Sequence, residues 1–294
     1  MKATIQRVLC LVLTLCLLSA ALASCAAKTE EVYLNSFTRV FDGSNNLLDL
    51  RSYTYNEYGQ LLTYTAEDRK VTHTYDGNGN LLTTRTETLK DGRPVSVEET
   101  RMTYDGRGNM VTTDSYRING DTETHLGGLT LEYDKEDRLL RETGSQTVTE
   151  YVYTQNGGYT STETLTAEGR VVCIITVEKN SAGQVTSRVT DRKDTGNTES
   201  YTATYSEAGD LLTERYTMNG AELESYRYEY DTHGDHTHLA RAITLQGETE
   251  LERTVYGYDE NHNRTQGVVC SPNGTVLRTY IYEYVLTEVK RLPK

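Results

Sequence analysis

Asp231-Thr232-His233-Gly234-Asp235-His236-Thr237-His238 gathers three of the six histidines in this 294-residue chain, and His262 follows within the next repeat. Imidazoles two positions apart on a strand share a face. With carboxylates beside them they are the donor types that hold a transition metal. His233, His236 and His238 are therefore the one metal-site candidate. The competing reading, polar substitutions in a worn repeat, is favoured, and no cofactor is expected. Other chemistry finds little support. Gly144-Ser145 and Asn180-Ser181 are turn contexts and form no nucleophile elbow. Gly77-Asn78-Gly79 and Gly157-Gly158 open no helix that would cradle a phosphate. The 43 acidic residues pair by chance in any repeat protein, so no two stand out as a glycosidase pair. No catalytic residue is expected, and the chain reads as a non-enzyme.

The elements that must position these groups are hairpins. Tyr75-Asp76-Gly77-Asn78-Gly79-Asn80-Leu81-Leu82-Thr83 reads as a turn with its flanking strands: the Asp accepts from the turn backbone and Gly79 supplies a residue with φ > 0. Asp76 then faces Asn80 and Tyr75 faces Leu81. The same pairing is expected at Phe41–Leu47, Tyr55–Leu61, Tyr104–Met110, Tyr133–Leu139 and Tyr205–Leu211. Further copies start at Tyr153, Tyr230 and Tyr258, with a degraded one at Lys179. Between copies lies a second class of turn, including Asp91-Gly92, Asn119-Gly120, Glu168-Gly169, Gly196-Asn197, Asn219-Gly220 and Gln246-Gly247. A chain that turns at both ends of every strand is an antiparallel meander, here of some eighteen strands. Alternation agrees: Tyr226, Tyr228 and Tyr230 share a face, as do Tyr280, Tyr282 and Tyr284, and Tyr201, Ala203 and Tyr205.

Two adjacent units break the aromatic–aliphatic rule. The register places His236 opposite Tyr230 and Arg264 opposite Tyr258. His233, His236, His238, Arg264, Tyr230 and Tyr258 are accordingly the expected binding patch.

Tyr228-Glu229-Tyr230-Asp231 and Tyr256-Gly257-Tyr258-Asp259 match the first half of a Tyr-x-Tyr-Asp-x-x-Gly-Asn/Arg-Leu pattern. Gly79-Asn80-Leu81 and Gly108-Asn109-Met110 match its second half. Over roughly residues 37–285 the chain thus resembles the YD repeats of the Rhs and wall-associated protein families. The resemblance implies hairpins wound into a long sheet that coils into a spiral or shell. Larger members of those families carry a self-cleaving core with an Asp-Pro step, and this chain has no Asp-Pro. The expected fold is all-β: a long antiparallel meander, as a coiled or extended twisted sheet. A β-propeller, two units to a blade, is the alternative.

Lys2 and Arg7 precede the apolar run from Val8 to Leu18, an export signal too short for a stable membrane span. The run ends in Leu22-Ala23-Ser24-Cys25, which resembles the lipobox of bacterial lipoproteins and implies lipidation of Cys25. The expected organisation is a signal over 1–24, a lipidated N-terminus and tether over 25–36, and the repeat domain over 37–294. Loss of the signal would leave 28 basic against 43 acidic side chains, a net of −15. Nucleic acid is an unlikely partner at that charge. Cys173 and Cys270, in apolar runs, are expected as free thiols. The function expected is a lipid-anchored, extracytoplasmic scaffold or adhesion module whose partners are the membrane, through its lipid, and a glycan or cell-surface protein. The alternatives are a relative of an Rhs-type toxin system and a glycan-acting enzyme.

Overall fold

The computed structural model describes residues 29–233 and 236–292, and every regular element among them is a strand. The first five are β1 (Thr29–Asp42), β2 (Leu47–Tyr55), β3 (Leu61–Thr65), β4 (Arg69–Tyr75) and β5 (Leu81–Lys90). Next come β6 (Arg93–Tyr104), β7 (Met110–Asn119), β8 (Thr122–Tyr133), β9 (Leu139–Thr143) and β10 (Thr147–Tyr153). The second half begins with β11 (Tyr159–Leu165), β12 (Arg170–Lys179), β13 (Val185–Arg192), β14 (Asn197–Tyr205) and β15 (Leu211–Met218). It ends with β16 (Ala221–His233), β17 (His236–Gln246), β18 (Thr249–Tyr258), β19 (Arg264–Cys270) and β20 (Val276–Lys290). Each strand pairs antiparallel with the next, and β20 returns to β1 from Thr29↔Lys290 to Asp42↔Arg278. The sheet is therefore closed, as one twenty-stranded barrel. A single continuous sheet is not a propeller.

Register offsets accumulated around the ring come to a shear of about 20 residues, which for twenty strands means a tilt of roughly 37° and a backbone radius of roughly 18 Å. A side-chain layer about 5 Å deep then leaves a bore about 25 Å across. Strands accordingly touch only their ladder neighbours.

The repeated turn behaves as its residues dictate. The Asp76 N–H donates to Asn80 O at 2.9 Å and the Gly79 N–H to Asp76 O at 3.1 Å. The Asp76 carboxylate accepts from the N–H groups of Asn78 and Asn80, 2.8 Å each. Asp42, Asp105, Asp134 and Asp259 repeat the arrangement. Gly79 is favoured by its φ of +88°, and its bare Cα leaves room for the Leu292 side chain to pack over the turn.

All six expected cross-strand pairs form, from Phe41↔Leu47 to Tyr205↔Leu211. One bond was not foreseen. The hydroxyl of each signature tyrosine reaches past its own hairpin to a carbonyl of the preceding strand: Tyr75 to Leu61 O and Tyr104 to Leu81 O at 2.8 Å, Tyr133 to Met110 O and Tyr205 to Val185 O at 2.9 Å. Tyr55, Tyr153, Tyr230 and Tyr258 do the same. These clasps tie hairpin to hairpin along one rim.

The tyrosine face is the concave one, because curvature crowds inward side chains. Thr38, Val40, Leu131, Ser161, Cys173, Val177, Thr190 and Ala203 lie on it and are buried. The opposite face carries exposed threonine pairs, Thr54–Thr63, Thr74–Thr83, Thr103–Thr112 and Thr204–Thr213, each with hydroxyls 2.7 Å apart. It also carries mid-strand ion pairs, Arg39–Glu283, Arg101–Glu99 and Arg241–Glu229. Charges at that depth are costly against lipid, so this outer wall suits water.

Four expectations need correction. Strands number twenty, two more than expected. Residues 29–36, expected as tether, already form β1, because the matching C-terminal residues of β20 give them a full ladder. The Phe41 turn lies on the rim opposite the other signature turns, since only one strand separates it from Tyr55. Finally, Tyr230 pairs with Leu239 and not with His236, which faces His233. The hairpin is three residues longer than its siblings, and Leu239-Ala240 take the places that Leu81-Leu82 take elsewhere. Cys173 and Cys270 are free, the first buried and the second half-buried. Residues 1–28, with Cys25, lie outside the described residues.

Replacing Tyr104 by Phe removes one clasp and is expected to cost about 0.5–1.5 kcal/mol, with Tyr104→Phe/Tyr205→Phe close to additive, in urea unfolding. The turn carboxylates add a pH dependence. Bonds from the Asn80 side chain and backbone hold Asp76 below the usual carboxylate range, and Asn46 does the same for Asp42. A depressed folded-state pKa stabilises above the unfolded value and is lost as pH falls through the folded one. The melting temperature should therefore hold down to about pH 4 and fall below it, less steeply in Asp76→Asn.

Candidate functional site

The two units flagged by their broken pattern sit side by side, at the rim where the clasps lie. The β16–β17 hairpin brings Asp231 opposite His238, and the β18–β19 hairpin brings Tyr258 opposite Arg264. Between them is a cavity of about 510 Å³ lined by Asp231, His238, Ala240, Tyr256, Gly257, Tyr258, Asp259, Glu260 and His262. That volume is within the range of small-ligand pockets.

Its wall is a file of rings. The His238 ring lies against Tyr258 at 4.4 Å and beside His262 at 4.9 Å, and the His236 ring approaches that of His262 at 3.8 Å. His238 Nε2 and His262 Nδ1 are 2.9 Å apart, a hydrogen bond in which one nitrogen must be an unprotonated acceptor. Arg264 lies over the Tyr256 ring, its Cζ 4.2 Å from the centroid. Burial opposes the charge of Arg264, but bonding to Tyr258 and the neighbouring phenols outweigh it and hold its pKa up. Its Nε is enclosed and has no hydrogen-bond partner among the described residues. Asp259 is pushed up by burial yet held down on balance by bonds from Asn263 and Asn261 and by the His262 charge.

His262 has a backbone peculiarity. It occupies, at φ 65°, the turn position that Gly79 holds at φ 88° and Gly108 at φ 89°. A side chain in that left-handed conformation costs about 1–2 kcal/mol relative to Gly.

Of the six residues expected in the patch, His238 and Tyr258 line the cavity, and His236 and Arg264 flank it through His262 and Tyr256. Tyr230 stands apart with its hydroxyl on Leu211 O. The side chain of His233 lies outside the described residues. His262, Tyr256, Asp231, Asp259 and Glu260 were missing from the expected patch. A histidine at the glycine position of the repeat was the legible signal for the first. As for metal, no group of three His, Cys, Asp or Glu among the described residues is arranged to hold an ion. His238 and His262 already spend one ring nitrogen each on the hydrogen bond between them. What the cavity does offer is flat ring surface beside carboxylates, a combination that stacks on apolar faces and accepts from hydroxyl or amine groups.

No protein-family model matches the chain. Over 225 residues it is 28% identical to a protein of Bacillus spizizenii described as tRNA3(Ser)-specific nuclease WapA, a stretch covering 72% of this chain and 8% of that protein. The chain thus spans under a tenth of that relative, and the similarity is of the kind its YD/Rhs-like repeats lead one to expect. Among solved structures, TcdB2-TccC3-Cdc42 is similar with a TM-score of 0.33 and 14% identity, over 83% of this chain and 17% of that one. A porin-like protein from Bacteroides uniformis is similar with a TM-score of 0.36 and 15% identity, over 86% and 96%.

His262→Ala keeps the strained backbone and loses the ring, whereas His262→Gly loses the ring and relieves the strain. The glycine variant should therefore be the more stable by about 1 kcal/mol, the reverse of the usual order of these residues, in thermal or urea unfolding. Imidazole proton signals of His236 and His238 should move in both variants while those of His73 and His125 stay.

Proposed function

We propose that this protein is a non-enzymatic binding module of the cell surface, whose barrel holds a rigid mouth for a glycan. The observation that carries the reading is the mouth cavity, with ring faces of His238, Tyr256 and Tyr258 beside the carboxylates of Asp231, Asp259 and Glu260. Sugars present just that duality, a C–H face that packs on an aromatic ring and hydroxyls that donate to carboxylates. Ligand groups on a rigid closed sheet also lose little entropy on binding.

Attachment through a lipid on Cys25 fits the lipobox-like run and export signal. The chain enters the barrel at Thr29, on the same rim as the mouth, since Thr29 pairs with Lys290 beyond the level of Tyr55. The tip of the β1–β20 ribbon lies on the rim turns, with Lys290 bonded to Glu57, so the tether point sits at the level of the mouth. An anchored protein would therefore face its mouth toward the envelope that carries it, where glycans are dense.

A second reading, kinship with a polymorphic toxin system, is favoured by the similarity to the Bacillus spizizenii nuclease. In that reading the chain is a repeat module without the activity of the larger protein.

Residues 25–294, purified without the lipid, should bind a subset of an array of bacterial surface glycans. His238→Ala and Glu260→Gln should each weaken that binding tenfold or more, about 1.4 kcal/mol, with melting temperature little changed. Absence of binding to every glycan and cell-envelope fraction would sink the proposal.

A further inference from the structure

A second cluster lies on the inner wall, away from the mouth. Glu214, in the middle of β15, accepts hydrogen bonds from the hydroxyls of Tyr201 at 2.9 Å, Tyr216 at 3.4 Å and Tyr228. Tyr226 stacks on Tyr228 at 6.4 Å and meets Tyr216 edge-on at 6.2 Å. Ala203, the residue opposite Glu214, is small enough to leave the carboxylate open to phenols from three strands. Burial first, then the bond to Glu214, pushes the Tyr201 and Tyr228 phenols up, so they stay neutral and donating.

The consequence is electrostatic. The three groups that bond Glu214 are neutral phenols, so none of them supplies a positive charge to offset a carboxylate. Tyr226 adds a second carboxylate by bonding Glu224. The four phenols turn their hydroxyl edges to these charges, and the quadrupoles of the adjoining ring faces attract cations. The cluster already shows this attraction: the Arg188 guanidinium lies over the Tyr201 ring, 5.6 Å from its centroid. Ring faces with a carboxylate whose hydrogen-bonding capacity is taken suit a cation that has few or no N–H groups to donate.

We infer that Glu214 with Tyr201, Tyr216, Tyr226 and Tyr228 forms a subsite for an organic cation of the alkylammonium or quaternary-ammonium class. The subsite is independent of the mouth cavity and of any glycan bound there. A purely structural role, in which the phenols only stiffen the wall, is the competing account.

The chain has no tryptophan, so its ultraviolet emission reports on tyrosines directly. Choline and tetramethylammonium, titrated into the purified chain, should change that emission saturably, with glucose as the inert control. Glu214→Gln keeps the shape and the acceptor oxygen but removes the charge, and should weaken choline binding tenfold or more. Arg188→Gln removes the resident competitor and should tighten it severalfold. Should Glu214→Gln fail to fold, Tyr226→Leu, which breaks no bond to Glu214, carries the same test. No saturable response to either cation, or equal affinity in wild type and the Glu214 or Tyr226 variant, would overturn the proposal.

Discussion

The phenol-to-carbonyl bond of the signature tyrosine is the interaction on which the rest of this barrel depends. A two-stranded hairpin is marginal alone, and a sheet wetted on both faces has little core to add. Among the described residues the buried apolar side chains are few and small, chiefly Val40, Leu131, Val177, Ala203, Ile243 and Val289, and no large side chain is fully enclosed. Eight clasps at about 0.5–1.5 kcal/mol each are then comparable with the whole stability margin of an ordinary domain. Each also fixes geometry, because a phenol of fixed length reaching a fixed carbonyl sets the step from one hairpin to the next.

Closure follows from repetition of that step. Twist accumulates in one sense along a meander, and a constant offset per unit turns it into curvature toward the clasped face. Tyrosine serves this better than phenylalanine would, since its ring fills the concave side while its hydroxyl stays useful facing water. The seam is where the repetition stops. There β1 and β20 substitute length for clasps, with thirteen-odd residues of ladder capped by Val289 packed on Gly59 and Lys290 bonded to Glu57.

Local features were legible in the sequence because they are set by neighbours. Asp76, Gly79 and the Tyr75–Leu81 pair could be read from turn chemistry alone, and the same reading held at Tyr104, Tyr133 and Tyr205. It failed at Tyr230, where counting from the aspartate assumed a fixed loop length. Three added residues lengthened the hairpin and moved Leu239 into the paired place, so the apolar partner was displaced along the sequence and not lost. Closure was beyond reach for a different reason. Thr29 and Lys290 carry no mark of each other, and whether a twisted sheet closes depends on a sum of small offsets. The clasps were hidden likewise, since a tyrosine on an inward face looks the same whether its hydroxyl finds a carbonyl or water.

That distinction bears on where function can sit. A wall built from one repeated device is constrained wherever the device operates, so departures are tolerated only at hairpin tips and at inward positions between the clasped ends. The mouth cavity is of the first kind: the lengthened β16–β17 tip and a histidine in a glycine's place put imidazoles where other units have Gly, Asn or Asp. The Glu214 cluster is of the second kind, at mid-strand, where an alanine opposite leaves room for a charge. Both lie between β14 and β19, on one arc of the ring. A ligand long enough to span the bore's height along that arc would meet carboxylates and ring faces at both levels, whereas on the wall from β2 to β8 the inward carboxylates Asp49 and Glu98 are paired with Arg51 and Arg117.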